Sequence, residues 1–129
     1  MTKITELYKN DLSLMPQEGT VAAIMWADPV MLPPYSRVNE AIERLRQVGL
    51  PQTSMNSCYV VAEDYTLLGL LSLRDLLLTR GGAKVEDIMT RPFVTVQPGD
   101  DQELAAQLME QYDLLELPVV DEDNHLTGV

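Results

Sequence analysis

Two stretches of this chain are the same stretch written twice. Residues 58–80 read CYVVAEDYTLLGLLSLRDLLLTR, and residues 117–129 read LPVVDEDNHLTGV, so that Val119-Val120 answers Val60-Val61 and Gly128 answers Gly69. Upstream the correspondence continues at an offset of 64: Val85, Ile88 and Met89 match Val21, Ile24 and Met25. Val94 and Val96 match Val30 and Leu32, Pro98 matches Pro34, and Ala105, Ala106 and Met109 match Ala41, Ile42 and Leu45. The offset falls to 59 at Val119, because the first copy carries extra residues in its loop at 51–57. One copy is too small to bury both faces of a sheet alone. Two related copies packed about a pseudo-two-fold axis can do so.

Each copy reads as turn, strand, helix, strand, strand, helix. Thr20 to Met25 has the look of a helical turn, and Val30 to Leu32 is a short strand ahead of Pro33-Pro34. Ser36 is placed to cap a helix over 38–48 whose stripe is Val38, Ala41, Ile42, Leu45 and Val48, with Gly49 as its stop. Tyr59 to Val61 is a β-branched and aromatic strand, Glu63-Asp64 a polar turn, and Leu67 to Leu71 a second buried strand. Ser72 opens a helix over 73–80 with Leu73, Leu76 and Leu77 at i, i+3, i+4, ended by Gly81-Gly82. In the second copy a helix is expected over 101–112, with Leu104, Leu108 and Met109 facing inward. The expected organisation is an N-terminal helix and linker over 1–18 (Ile4, Leu7, Tyr8 and Leu12 in helical spacing), a first repeat over 19–82 and a second over 83–129. Nothing answers to residues 71–80 in the second copy, so it is expected to be incomplete and the chain a truncated segment. The fold class expected is mixed α/β, with tandem β-α-β-β-α units.

Charge narrows the function. The net charge is −11, and direct nucleic-acid binding needs clustered Lys and Arg. Residues 1–91 hold eleven acids and all nine basic residues, whereas residues 92–129 hold nine acids and no Lys or Arg. One part of the protein is therefore a strongly acidic surface. No apolar run, Leu67 to Leu71 included, approaches the roughly 18 residues that span a bilayer. No signal-peptide pattern is visible at the N-terminus. Cys58, the only cysteine, is read as a small core residue, which suits a reducing cytosol. No Ser/His/Asp set, Cys-x-x-Cys or Gly-rich phosphate loop is present, so an enzyme has nothing to stand on and none is expected.

The doubled Ile-Met…Val…Pro…helix…Val-Val-hairpin-Gly pattern over about residues 20–129 resembles a tandem cystathionine-β-synthase (CBS) domain pair. Ser72-Leu-Arg-Asp75, Asp101-Gln-Glu103, Leu108-Met109, Tyr112-Asp113 and Leu117-Pro-Val-Val-Asp-Glu122 are similar to the cytosolic CBS region of MgtE-type magnesium transporters. The resemblance implies a regulatory, dimeric module on the cytoplasmic side of the cell membrane. It would sense intracellular Mg2+ through acidic surfaces and gate a pore, alongside an acidic N-terminal domain and a transmembrane domain not contained in this chain. It also implies ATP or another adenine nucleotide as a second ligand. A nucleotide-sensing CBS pair regulating some other protein is the alternative, and a purely structural dimerisation module a third.

Two constellations carry these expectations. Ser72, Arg74 and Asp75 stand where many CBS domains meet phosphate and ribose, and a helix N-terminus favours an anion. The same Ser-x-x-Asp spacing equally describes a capping box. Asp101, Glu103 and Asp113 are the residues that the resemblance assigns to Mg2+. With Asp100 and Glu110 they lie on or beside one helix, where Glu103, Gln107 and Glu110 form its outer side. A solvated, N-terminally capped face explains them as simply. A loose array of carboxylates, some from a partner chain, would suffice for an ion that keeps several waters. Asp121-Glu122-Asp123 and His125, the only histidine, are read as solvated turn residues.

Overall fold

The computed structural model describes residues 3, 16–25, 29–49, 57–91 and 94–129. The helix expected from Ile4, Leu7, Tyr8 and Leu12, and most of the loop at 51–57, lie outside them. The chain divides into two compact units, Val30–Pro92 and Met1–Pro29 with Phe93–Val129.

In the 30–92 unit, strand β1 (Met31–Leu32) leads through Pro33-Pro34 into helix α1 (Val38–Val48). Strands β2 (Ser57–Val61) and β3 (Leu67–Ser72) form a hairpin, followed by the short helices α2 (Leu73–Leu78) and α3 (Val85–Ile88). The sheet order is β1-β2-β3, with β1 parallel and β3 antiparallel to β2. Alternation decides the faces of the sheet. Cys58, Val60, Leu71 and Leu32 join Val38, Ala41, Leu76 and Val85 in one core cluster. Cys58 is fully buried there, the core residue its strand position predicts.

The other unit brings a 3-10 turn (Val21–Ala23) together with helix α4 (Gln102–Gln111) and the hairpin of β4 (Val119–Val120) and β5 (Leu126–Gly128). Val21, Met25, Val96, Ala105, Leu117 and Val119 form its core cluster. The helical turns have thus been exchanged between the sequence repeats. The turn at 20–25 packs on the strand and helix of the second copy, and α3 packs on those of the first. The hydrogen bonds repeat at the offset read from the sequence. Val85 N–H donates to Ser36 O at 2.8 Å and Val21 N–H to Asp100 O at 2.7 Å; Val38 N–H donates to Ala83 O at 2.8 Å and Gln102 N–H to Gly19 O at 2.9 Å.

The hairpins repeat as closely. Each ladder slips by one residue at a bulge, between Val60 and Val61 in one and Val119 and Val120 in the other. Each turn places one residue in the left-handed region, Tyr65 at φ 70° and Asn124 at φ 64°.

Three expectations require correction. Arg37, not Ser36, is the N-cap of α1; its N–H donates to Glu40 Oε1 at 3.3 Å, while Ser36 O is taken by α3. In α2, Leu76 is buried and Leu73 partly so, but Leu77 is 73% exposed. The helix is only six residues long, and Leu77 stands about 100° round from Leu76. In α4 the buried residue is Ala105, with Leu108 and Met109 packed on the core, whereas Leu104 is 42% exposed. Ala105, Leu108 and Met109 are the true i, i+3, i+4 stripe, and Leu104 precedes it by the same 100°.

Candidate functional site

Most of the acidic residues of 94–129 lie along α4, just beyond it, or in the β4–β5 turn. At the start of α4, Asp100 Oδ2 accepts from Gln97 N–H and Asp101 Oδ1 from Glu103 N–H, each at 2.8 Å. Asp101 is the N-cap and Glu103 sits in the first turn, where the free N–H groups and the helix dipole favour negative charge. The Asp101 carboxylate thus has a structural task already. Glu103, Gln107 and Glu110 are all exposed, the outer face expected of them.

Asp113 lies beyond the other end of α4. Its φ is 53°, and Leu114 N–H closes back on Met109 O at 2.8 Å, so Asp113 terminates the helix in the left-handed conformation. Ten residues of rise separate it from Glu103 by about 15 Å along the helix. The three residues proposed for Mg2+ therefore form a pair and a distant single, and do not converge on one ion. An aspartate is also a poor terminator, carrying both the left-handed strain and a negative charge at the negative end of the dipole. Asp113→Gly is expected to raise stability by about 0.5–1 kcal/mol, read as a higher Tm. A lower Tm would mean that Asp113 is not left-handed.

In the 30–92 unit, Ser72 and Asp75 form the reciprocal capping box. Asp75 N–H donates to Ser72 Oγ at 3.0 Å and Ser72 N–H to Asp75 Oδ2 at 3.2 Å. Arg74 is exposed on the same turn. Both capping side chains are engaged with backbone, and a nucleotide there would meet groups held in place by that box.

The residues expected to be separate solvated turn residues form one cluster. Asp121, Asp123 and His125 bring a carboxylate or ring-nitrogen atom each within 4.8 Å of one another in the β4–β5 turn. Asp121 Oδ1 accepts from the N–H groups of Asp123 and His125, both at 2.9 Å, and His125 Nδ1 lies 3.1 Å from Asp121 Oδ2. The Asp121 carboxyl is held below the ordinary carboxylate range. The His125 backbone N–H contributes most, desolvation opposes it, and the Asp123 N–H and the His125 ring add to it. A lowered value stabilises the turn at neutral pH, and that contribution is lost as pH falls through it. The Asp-x-Asp-x-His spacing was the available signal. It became informative only once the turn folded the alternate residues to one side.

The model of the CBS domain family matches residues 21–81 and 85–129. The magnesium transporter MgtE of Bacillus subtilis is 38% identical over 100 residues, covering 78% of this chain and 22% of that protein. The crystal structure of the cytosolic domain of the Mg2+ channel MgtE in complex with ATP is 35% identical, with a TM-score of 0.82, covering 88% of this chain and 46% of that one. The soluble part of a magnesium transporter is 32% identical, with a TM-score of 0.84, covering 96% and 49%. This chain thus spans about a quarter of the curated relative and about half of each solved domain.

Proposed function

The chain belongs to the CBS domain family, its fold the mixed α/β fold of tandem CBS repeats, and from that premise we propose that it is the regulatory CBS region of a magnesium transporter. In this reading it works as a dimer on the cytoplasmic side of the membrane and senses Mg2+ through its acidic surface. It biases the gating of a pore formed by a transmembrane domain, together with an acidic N-terminal domain. Among the described residues no helix is long and apolar enough to cross a membrane. The observation that carries the reading is the run of nine carboxylates over 92–129 without one Lys or Arg. Asp101, Glu103, Glu110 and Asp113 are exposed on and beside a single helix. Mg2+ is expected to raise the Tm, or tighten the dimer, well beyond Na+ at equal ionic strength. Equal effects would reduce the face to a solvated acidic surface.

A second ligand is supported by the ATP bound to the similar MgtE cytosolic domain and by the Ser72–Asp75 box at a helix start. In this reading Ser72 and Arg74 meet phosphate and Asp75 meets ribose. Asp75→Ala is expected to weaken ATP binding in calorimetry, and to cost about 1 kcal/mol of stability through the lost cap. An ATP affinity unchanged in a folded Asp75→Ala variant would leave Asp75 as a cap only.

A further inference from the structure

We propose that the β4–β5 turn is a binding site for a divalent first-row transition metal of the Zn2+ class, held by one carboxylate oxygen each from Asp121 and Asp123 and a ring nitrogen of His125. The donor set is mixed, and the imidazole sets it apart from the purely acidic surface. Nitrogen donors suit Zn2+, Ni2+ and Cu2+, whereas Mg2+ prefers oxygen alone. The three donor atoms already lie within 4.8 Å of one another, so a modest contraction of an exposed turn closes the site.

The sister turn of the β2–β3 hairpin shows that the backbone does not demand these residues. There Ala62 and Thr66 stand where Asp121 and His125 stand here, and Asp64 answers Asp123. The backbone bonds are nonetheless the same. Ala62 N–H donates to Thr66 O and Asp121 N–H to His125 O, each at 3.0 Å; Tyr65 N–H donates to Ala62 O at 2.9 Å and Asn124 N–H to Asp121 O at 3.1 Å. The first turn completes its bonding with Asp64 Oδ1, which accepts from Thr66 N–H at 3.1 Å. The fold is satisfied there by Ala, Asp and Thr; here Asp121 Oδ1 takes over the accepting role of Asp64, and the Asp123 carboxylate and the His125 ring are donors beyond that backbone need.

The surroundings suit a cation that keeps open positions. An open hollow of about 410 Å3 lies beside the turn, lined by Gln97, Pro98, Gly99, Asp121, Glu122 and Asp123. It offers a further carboxylate, an amide oxygen and room for water. No Lys or Arg occurs anywhere in 92–129 to compete with the metal. The site shares no residue with Asp101, Glu103 and Asp113, so its test is independent of the Mg2+ reading.

The test is titration of the whole chain with ZnCl2 in excess Mg2+, by calorimetry and by NMR of the imidazole ring. His125 is the only histidine, so its ring signals are unambiguous. One equivalent of Zn2+ is expected to bind and to move those signals to saturation. Asp123→Asn should weaken binding at least about tenfold. The double variant Asp121→Ala/His125→Thr copies the residues of the sister turn and should fold while losing the site. Ring signals that stay put under Zn2+ would overturn the proposal, as would a folded double variant, or Asp123→Asn, that binds as tightly as the parent. Zn2+ binding that is lost in excess Mg2+ and restored when Mg2+ is removed would overturn the assigned class of metal.

Discussion

Gly69→Ala is expected to destabilise the protein by about 1–3 kcal/mol, although alanine normally suits a strand better than glycine. Two effects oppose each other. Fewer conformations in the unfolded chain favour alanine by about 0.4–1 kcal/mol where the native conformation admits it. Against this, a Cβ at Gly69 would lie 2.6 Å from Met89 Sδ, 2.8 Å from Met89 Cγ and 2.9 Å from Thr90 O. The methionine side chain can turn away. The carbonyl cannot, because Thr90 O accepts from Leu70 N–H at 2.8 Å while Thr90 N–H donates to Leu70 O at 2.9 Å. Relief requires the segment after α3 to lift from β3 and to break that bridge, so the clash outweighs the entropy. Thermal unfolding checks this, with Gly99→Ala as control. Nothing lies within 4 Å of a Cβ there, and the change should stay within about 0.5 kcal/mol. A Gly69→Ala protein as stable as its parent would mean that residues 89–90 are not seated on β3.

The second large effect concerns Mg2+. Nine carboxylates without a basic residue of their own destabilise a compact state by self-repulsion. A cation that binds the folded array but not the unfolded chain stabilises by about 2.7 kcal/mol at a hundredfold excess over its Kd. Replacing Asp101 and Asp113 by Asn and Glu103 by Gln should raise stability in the absence of Mg2+ and remove most of the Mg2+ response. These amides are chosen because the geometry requires them. Asn keeps the cap that Asp101 makes to Glu103 N–H, and Asn tolerates the φ of 53° at Asp113. The two ends of α4 should act separately. Neutralising Asp113 relieves an unfavourable helix dipole interaction, whereas neutralising Asp101 and Glu103 removes a favourable one. The baseline gain should therefore come mainly from Asp113, and the loss of response from both ends. Retention of the full response by the triple variant would place the Mg2+ site elsewhere.

The elements themselves were legible because their causes are local. Gly49 ends α1 at φ 75°, and Ser72 and Asp75 cap each other across three residues. The two hairpins follow from alternation and turn chemistry repeated at a fixed offset, whereas the bulge in each ladder appears only in the fold. Such bonds join near neighbours, so a short window of residues suffices to specify them. Assignment of the acids to a capped outer face was equally available, since it depends only on helical spacing and the dipole.

What the tertiary structure alone decided is which surfaces meet. The turns at 20–25 and at 85–88 are near copies, and each would serve either repeat by pattern. The fold seats each against the other copy's strand and helix. Burial of apolar area is non-directional and carries no label for its partner. For the same reason the buried position of α4 passed from Leu104 to Ala105, because the angle at which a short helix sits is set by what it packs against. Asp121, Asp123 and His125, adjacent in sequence but read as separate solvated residues, became one donor set only when the turn closed. Sequence by itself determined the repeats, the elements and the charge; the exchange of turns and the seating of the helices came from packing across distances in sequence that no local pattern spans.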